Sequence, residues 1–191
     1  MNDAKGIGVL SVGNILMGDD GIGPFVLKIL ESRYEFPSNV VLHDLGTPGL
    51  GITSFLADYD AVILIDAVSA KGQPGELRQY RKEQLVRVPI PERVSPHDPA
   101  LVEALLFAEL SGLCPQEVLL VGVVPKSVEL GCELTETVQA AVEPAIAAIL
   151  AELERLGVAT PASRQAFHLV GRKSILKVAS RETCYVPGDP G

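Results

Sequence analysis

The sequence has no tryptophan, few aromatic residues and only three cysteines among its 191 residues. Cys114, Cys132 and Cys184 form no Cys-x-x-Cys pair, and this odd, small number favours reduced thiols over a disulfide framework. No apolar run approaches the ~20 residues that a membrane-spanning helix needs. No signal-peptide pattern precedes the first apolar run. We therefore expect a cytoplasmic protein without membrane insertion.

Positive charge is also scarce, because 16 Lys and Arg face 24 Asp and Glu, for a net charge of −8. Proteins that bind nucleic acid neutralise phosphates with basic side chains, so this balance argues against nucleic acid as a partner. A hydrophobic content of 47% and a mean hydropathy of +0.28 indicate a well-buried core. The composition is that of a globular protein of about one domain.

Strand-like and helix-like runs alternate through most of the chain. Buried strands are expected over 6–13, 40–45, 61–68 and 118–124, with an edge strand over 76–81. Helices are expected over 22–33, 50–57, 99–110 and 135–156, the last interrupted by Pro144. This order predicts an α/β fold, a three-layer αβα sandwich with a mostly parallel twisted sheet of the phosphorylase/hydrolase-like kind. We expect residues 1–157 to form this domain and residues 158–191 to form a tail, either partly disordered or a docking appendage.

Two adjacent acids follow the first predicted strand. A first strand–helix turn in such folds usually binds phosphate through glycines and backbone amides. Asp19 and Asp20 reverse that preference, because adjacent carboxylates repel phosphate and attract a hard or borderline cation. An alternative is that both acids only stabilise the positive end of the following helix dipole.

Asp66 and His97 are the other candidate ligands. Asp66 ends an apolar run, where a carboxylate is costly unless it is paired or functional. With a sheet order that places the third strand beside the first, Asp20 and Asp66 flank the topological switch point. His97 precedes a predicted helix start that can return to the same edge, although a histidine among prolines is often only solvated. Two carboxylates and an imidazole suit zinc, nickel or iron and leave open coordination positions.

Three segments resemble the signatures of a known family. They are Gly13–Gly23, Ile65-Asp66-Ala67 and Ser95-Pro96-His97, and they are similar to motifs of the nickel–iron hydrogenase maturation endopeptidases. The likeness covers roughly residues 7 to 157. Many members carry glutamate at the position of Asp20, so the shorter aspartate must reach its ion from closer backbone.

The resemblance implies a protease that removes the carboxyl-terminal extension of a hydrogenase large-subunit precursor after nickel insertion. By position, it implies that Asp20, Asp66 and His97 contact the metal and serve catalysis. The nickel would be carried by the substrate. The segment Asp44–Gly49 resembles the family's loop after the second strand, with Leu45 in place of a glycine, and would hold substrate backbone beside the metal.

Two other hypotheses remain open from the residues alone. The same Asp/Asp/His set also suits a hydrolase with resident zinc that acts on a small amide. The strand, glycine-rich loop and helix at the start also suit a non-catalytic nucleotide-binding module.

Overall fold

A five-stranded, mostly parallel sheet forms the centre of the molecule in the computed structural model, which describes residues 6–87, 99–159 and 161–163. Its strand order is β3-β1-β4-β6-β5, and only the edge strand β5 runs antiparallel to its neighbour. The strands are β1 (Ile7–Ser11), β3 (Val40–Asp44), β4 (Ala61–Ala67), β5 (Leu77–Arg81) and β6 (Glu117–Val123). The predicted strands and the position of the third predicted strand beside the first are confirmed.

Helices cover both faces of this sheet, as the prediction of three layers requires. They are α1 (Ile22–Arg33), α2 (Ile52–Ala57), α3 (Lys82–Arg87), α4 (Pro99–Leu110), α5 (Glu136–Gln139) and α6 (Val142–Arg155). Every residue of β4 is buried, and successive residues point to opposite faces. Ile63 lies in the core beneath α1 and α6, whereas Leu64 lies in the core beneath α2 and α4. Burial on both faces explains why β4 is an almost continuous apolar run.

The predicted helix 135–156 is two helices, and the break does not fall at Pro144. Residues 140 and 141 separate α5 from α6, so Pro144 lies in the first turn of α6. Proline is tolerated there because amides of a first helical turn have no partner within the helix. Sequence reasoning also missed α3 and a two-residue antiparallel pair between β2 (Tyr34–Glu35) and β7 (Ala162–Ser163).

The cysteines differ in state. Cys114 is a free thiol, as expected, whereas Cys132 is disulfide-bonded. The prediction of reduced thiols is therefore wrong for Cys132, because an odd number of cysteines does not exclude one pair. In the described part of the chain, no helix combines the length and apolar character needed to cross a membrane. The predicted boundary at residue 157 stays a prediction, although Val158 is buried against the core beneath α1.

A buried carboxylate fastens α6 to the sheet edge. Glu152 lies on α6 and is 5% exposed. It accepts hydrogen bonds from both terminal guanidinium nitrogens of Arg81 on β5, one of them 2.7 Å long. Arg155 donates two more, at 2.8 and 3.0 Å. Burial alone raises the pKa of Glu152, but these hydrogen bonds outweigh it and lower the pKa below its usual value.

Glu152→Gln should lower the free energy of unfolding by about 1–2 kcal/mol at pH 7, since two partly exposed arginines lose their charged acceptor. A lowered folded-state pKa means that this stabilisation is present above the unfolded pKa of about 4.3 and is lost as the pH falls through the folded value. Urea denaturation between pH 7 and pH 3 should therefore show the two proteins converging at low pH. The exposed neighbour Glu154→Gln is the control, and equal behaviour of both variants would contradict the expectation.

Candidate functional site

The turn after β1 places Asp20 at the carboxyl end of that strand. Asp20 belongs to a 3-10 helix, Gly18–Gly21, that leads directly into α1. The Asn14 amide donates a 2.7 Å hydrogen bond to Oδ2 of Asp20. Gly13 has φ +134°, and a Cβ atom there would overlap the carbonyl oxygen of Asp20. A glycine is required because the backbone of Asp20 lies directly against the strand end.

Asp66 lies at the carboxyl end of β4, the neighbour of β1. The parallel register pairs Ser11 with Ile65, and the Val12 amide donates a 2.9 Å hydrogen bond to the carbonyl of Ile65. Asp66, the last residue but one of β4, therefore lies at the level where β1 enters its turn. Both acids are almost fully buried, with Asp20 1% and Asp66 4% exposed. The 3-10 helix that carries Asp20 packs against β4, so the two acids share one edge of the sheet.

Asp19 points into a different environment from Asp20, and its contacts explain why it is not a ligand candidate. Its Oδ2 accepts the Lys126 amide at 2.8 Å and the Ser127 amide at 3.0 Å. Thr135 donates its amide to Oδ1 at 2.7 Å and its hydroxyl to Oδ2 at 2.9 Å. Three of these four donors bind Oδ2 and one binds Oδ1, so both oxygens of Asp19 already accept hydrogen bonds from the protein. These bonds commit Asp19 to the protein itself, and Asp20 stays the predicted ligand of the two adjacent acids.

The loop after β3 lies at the same edge of the sheet as the turn after β1. Asp44 Oδ1 accepts the hydroxyl of the buried Ser11 at 2.9 Å and the Gly46 amide at 3.1 Å. The Gly46 carbonyl in turn accepts the Gly13 amide at 2.8 Å. The segment that the sequence matched to a substrate-holding loop is thus fastened to the end of β1, next to the turn that carries Asp20.

His97 lies outside the described residues, so the full Asp20, Asp66 and His97 set stays a prediction. Among the described residues, no group of three His, Cys, Asp or Glu side chains is placed to hold a metal ion. As predicted ligands, Asp20 and Asp66 would supply two oxygens, and a dipositive ion needs at least one more donor. Sequence reasoning missed the role of Asp19, because its partners lie 107 to 116 residues further along the chain.

Comparison with known proteins gives a consistent result. Residues 24–152 match a family model described as hydrogenase maturation protease. The chain is 40% identical over 162 residues to the hydrogenase 2 maturation protease of Escherichia coli, covering 84% of this chain and 97% of that protein. It is 39% identical over 155 residues to the hydrogenase expression/formation protein HupM of Azotobacter chroococcum, covering 80% of this chain and 74% of that protein.

Solved structures agree with this match. The hydrogenase maturating endopeptidase HybD of Escherichia coli superposes with a TM-score of 0.76 at 38% identity, over 84% of this chain and 99% of that one. The [NiFe] hydrogenase maturation protease HybD of Thermococcus kodakarensis superposes with a TM-score of 0.62 at 27% identity, over 79% and 98%. These matches do not support the nucleotide-binding alternative. The chain belongs to the hydrogenase maturation protease family and is a peptidase.

Proposed function

We propose that this peptidase removes the carboxyl-terminal extension of a nickel–iron hydrogenase large-subunit precursor after nickel has been inserted. The observation that carries the proposal is the burial of two acids, Asp20 and Asp66, at the edge of the sheet formed by the carboxyl ends of the adjacent parallel strands β1 and β4. The names of the relatives support a hydrogenase substrate. A cytoplasmic location stays a prediction from the sequence.

The chemistry of the two acids fits a divalent ion. Carboxylate oxygens are suitable ligands for nickel and zinc, and two of them offset a dipositive charge. His97 is proposed as the third ligand. Its place in the sequence supports this, because α4 begins two residues later at Pro99. Side chains alternate along β4, so Asp66 belongs to the same face of the sheet as Leu64. The middle of α4 packs on that face.

The two carboxylates also explain why the ion would arrive with the substrate. Two carboxylates and one imidazole leave a divalent ion with open coordination positions, so this set binds free metal less tightly than it does when the precursor supplies further ligands. Affinity then depends on a precursor that already carries nickel on its own ligands. When bound, the ion acts as a Lewis acid toward the scissile carbonyl or a water molecule. Asp20, Asp66 and His97 hold the loaded substrate in register with that bond.

The loop 44–46 is proposed to position the substrate backbone. It is fixed to the end of β1 by the bonds of Asp44 and Gly46. An extended peptide that lies along this loop would pass the sheet edge that carries Asp20 and Asp66. Orientation of the scissile bond by such a loop contributes to catalysis independently of the ion.

Nickel-loaded precursor should be cleaved, and the same precursor prepared without metal should be cleaved roughly 10²- to 10⁴-fold more slowly, since several kcal/mol of Lewis-acid stabilisation are lost. The measurement is a gel-shift assay of the purified precursor with and without nickel, with mass spectrometry of the product. A precursor carrying zinc in place of nickel is the control for general metal dependence. Equal rates for loaded and metal-free precursor would contradict the proposal.

The resident-zinc alternative predicts a different composition of the purified enzyme. Elemental analysis of protein prepared without chelators should find well below one metal ion per chain if the ion comes with the substrate. Stoichiometric zinc would favour the alternative.

A further inference from the structure

Two loops at the sheet edge that carries Asp20 and Asp66 are joined by hydrogen bonds between their backbones. We call residues 14–21 the catalytic turn and residues 124–135, which follow β6, the β6 loop. The Gly18 amide donates to the carbonyl of Gly131 at 2.7 Å, and the Gly131 amide donates to the carbonyl of Leu16 at 2.9 Å. The Asp19 amide donates to the carbonyl of Ser127 at 3.0 Å. These bonds run in both directions between segments more than a hundred residues apart.

The side chain of Asp19 also links the catalytic turn to the β6 loop, and we call this set of hydrogen bonds between the two segments the junction. It is 0% exposed, and each of its four hydrogen bonds comes from the β6 loop. Hydrogen bonds to an ionised acceptor are roughly twice as strong as neutral ones. The carboxylate is thus the strongest single link between the β6 loop and the turn that carries Asp20.

Thr135 shows that this link is preferred over ordinary helix capping. Thr135 occupies the N-cap position of α5, where a threonine hydroxyl usually accepts a hydrogen bond from the first turn. Its hydroxyl makes no such bond and donates to Asp19 instead. Removal of the hydroxyl therefore takes nothing from the capping of α5 and weakens only the junction.

We propose that Asp19 is a positioning residue, which fixes the catalytic turn against the β6 loop so that Asp20 is held ready for the metal. This inference rests on the proposed function, because it takes Asp20 as a ligand. The next residue, Asp20, has its backbone against Gly13 on the other side. A turn held on both sides leaves its carboxylate little freedom, and small displacements of a ligand or reacting group cost rate steeply.

Asp19→Asn tests the proposal with two readouts. Whichever way the amide is oriented, at least one backbone N–H of the β6 loop loses its acceptor. We expect kcat for nickel-loaded precursor to fall at least tenfold while KM changes less than about threefold. Amide hydrogen exchange should accelerate at least tenfold in the catalytic turn and the β6 loop, whereas β4 exchanges at the wild-type rate. Wild-type kcat, or acceleration spread evenly over the sheet, would overturn the proposal.

A matched pair at Thr135 keeps the test sharp if Asp19→Asn does not fold. Thr135→Val removes one of the four donors at nearly constant volume, and we expect local exchange to accelerate and kcat to fall about threefold. Thr135→Ser keeps the hydroxyl and should restore both values, whereas a structural role of the methyl group would give the opposite order. Leu130→Ala, on the same loop and 86% exposed, should change neither.

Hydrogen exchange separates this inference from the metal assignment. Asp20→Asn should lose activity and keep slow exchange in the β6 loop, because Asp19 is unchanged. Active Asp20→Asn refutes the proposed ligand set, whereas unchanged exchange in Asp19→Asn refutes the junction.

Discussion

Asp66→Asn is expected to abolish precursor processing, with a loss of roughly 10²- to 10⁴-fold in kcat/KM. The amide has nearly the same shape and keeps an oxygen for the Ala67 amide, which now donates to Oδ1 of Asp66 at 2.8 Å. It removes the negative charge that a dipositive ion requires. The protein should fold normally, because the amide keeps the shape of the side chain and the oxygen that accepts the Ala67 amide. Single-turnover cleavage of nickel-loaded precursor measures the effect.

Asp58→Asn is the matched control for this prediction. Asp58 is exposed and lies before the start of β4, at the opposite end of the same strand. The same chemical change there should leave processing within about twofold of wild type. His97→Ala should reproduce the loss seen for Asp66→Asn. Wild-type processing by both Asp66→Asn and His97→Ala would show that these residues do not hold the ion.

Gly13→Ala should destabilise the protein strongly and displace the catalytic turn. The positive φ of Gly13 costs an alanine about 1–3 kcal/mol of backbone strain. Overlap of the new methyl group with the Asp20 carbonyl adds about 1–3 kcal/mol. For a chain of this size each kcal/mol shifts Tm by about 2–4 °C, so a fall of roughly 10 °C is expected. Differential scanning calorimetry measures it.

Gly51→Ala provides the comparison for Gly13→Ala. Gly51 has φ −61° and ψ −18°, a conformation that alanine adopts without strain. A Cβ atom there meets no heavy atom within 4 Å. The substitution should be neutral or stabilise by up to about 1 kcal/mol, since alanine reduces the freedom of the unfolded chain. Similar Tm values for the two variants would mean that Gly13 is not required by its backbone.

Much of the fold follows from local patterns in the sequence. The apolar run at 61–68 predicted a strand buried on both faces, and β4 is that strand. Asp66, near the end of this run, could be placed at the same sheet edge as Asp20 because parallel strands bring their carboxyl ends to one edge. These predictions depend on the spacing of apolar residues and on the general rule for where the ends of parallel strands lie. Both can be applied to a single sequence.

Other features depend on contacts that no local pattern contains. Asp19 and Asp20 look equivalent in the sequence, and only the tertiary contact with the β6 loop separates their roles. The salt bridge of Glu152 with Arg81 joins residues 71 positions apart, so its burial could not be read from α6 alone. The break before α6 was misplaced because proline disfavours a helix interior but is accepted in a first turn.

The hydrogen bonds that hold the catalytic turn, the β6 loop and the loop 44–46 in place have a consequence for how the precursor would bind. The catalytic turn is bonded to the β6 loop, and the end of β1 directly before that turn is bonded to the loop 44–46 at Ser11 and Gly13. On the proposed function, the cost of ordering falls on the flexible extension of the precursor rather than on the enzyme. Discrimination between precursors would then arise before the peptide bond is broken. Only an extension whose conformation fits the preformed site would stay bound for the time that cleavage needs.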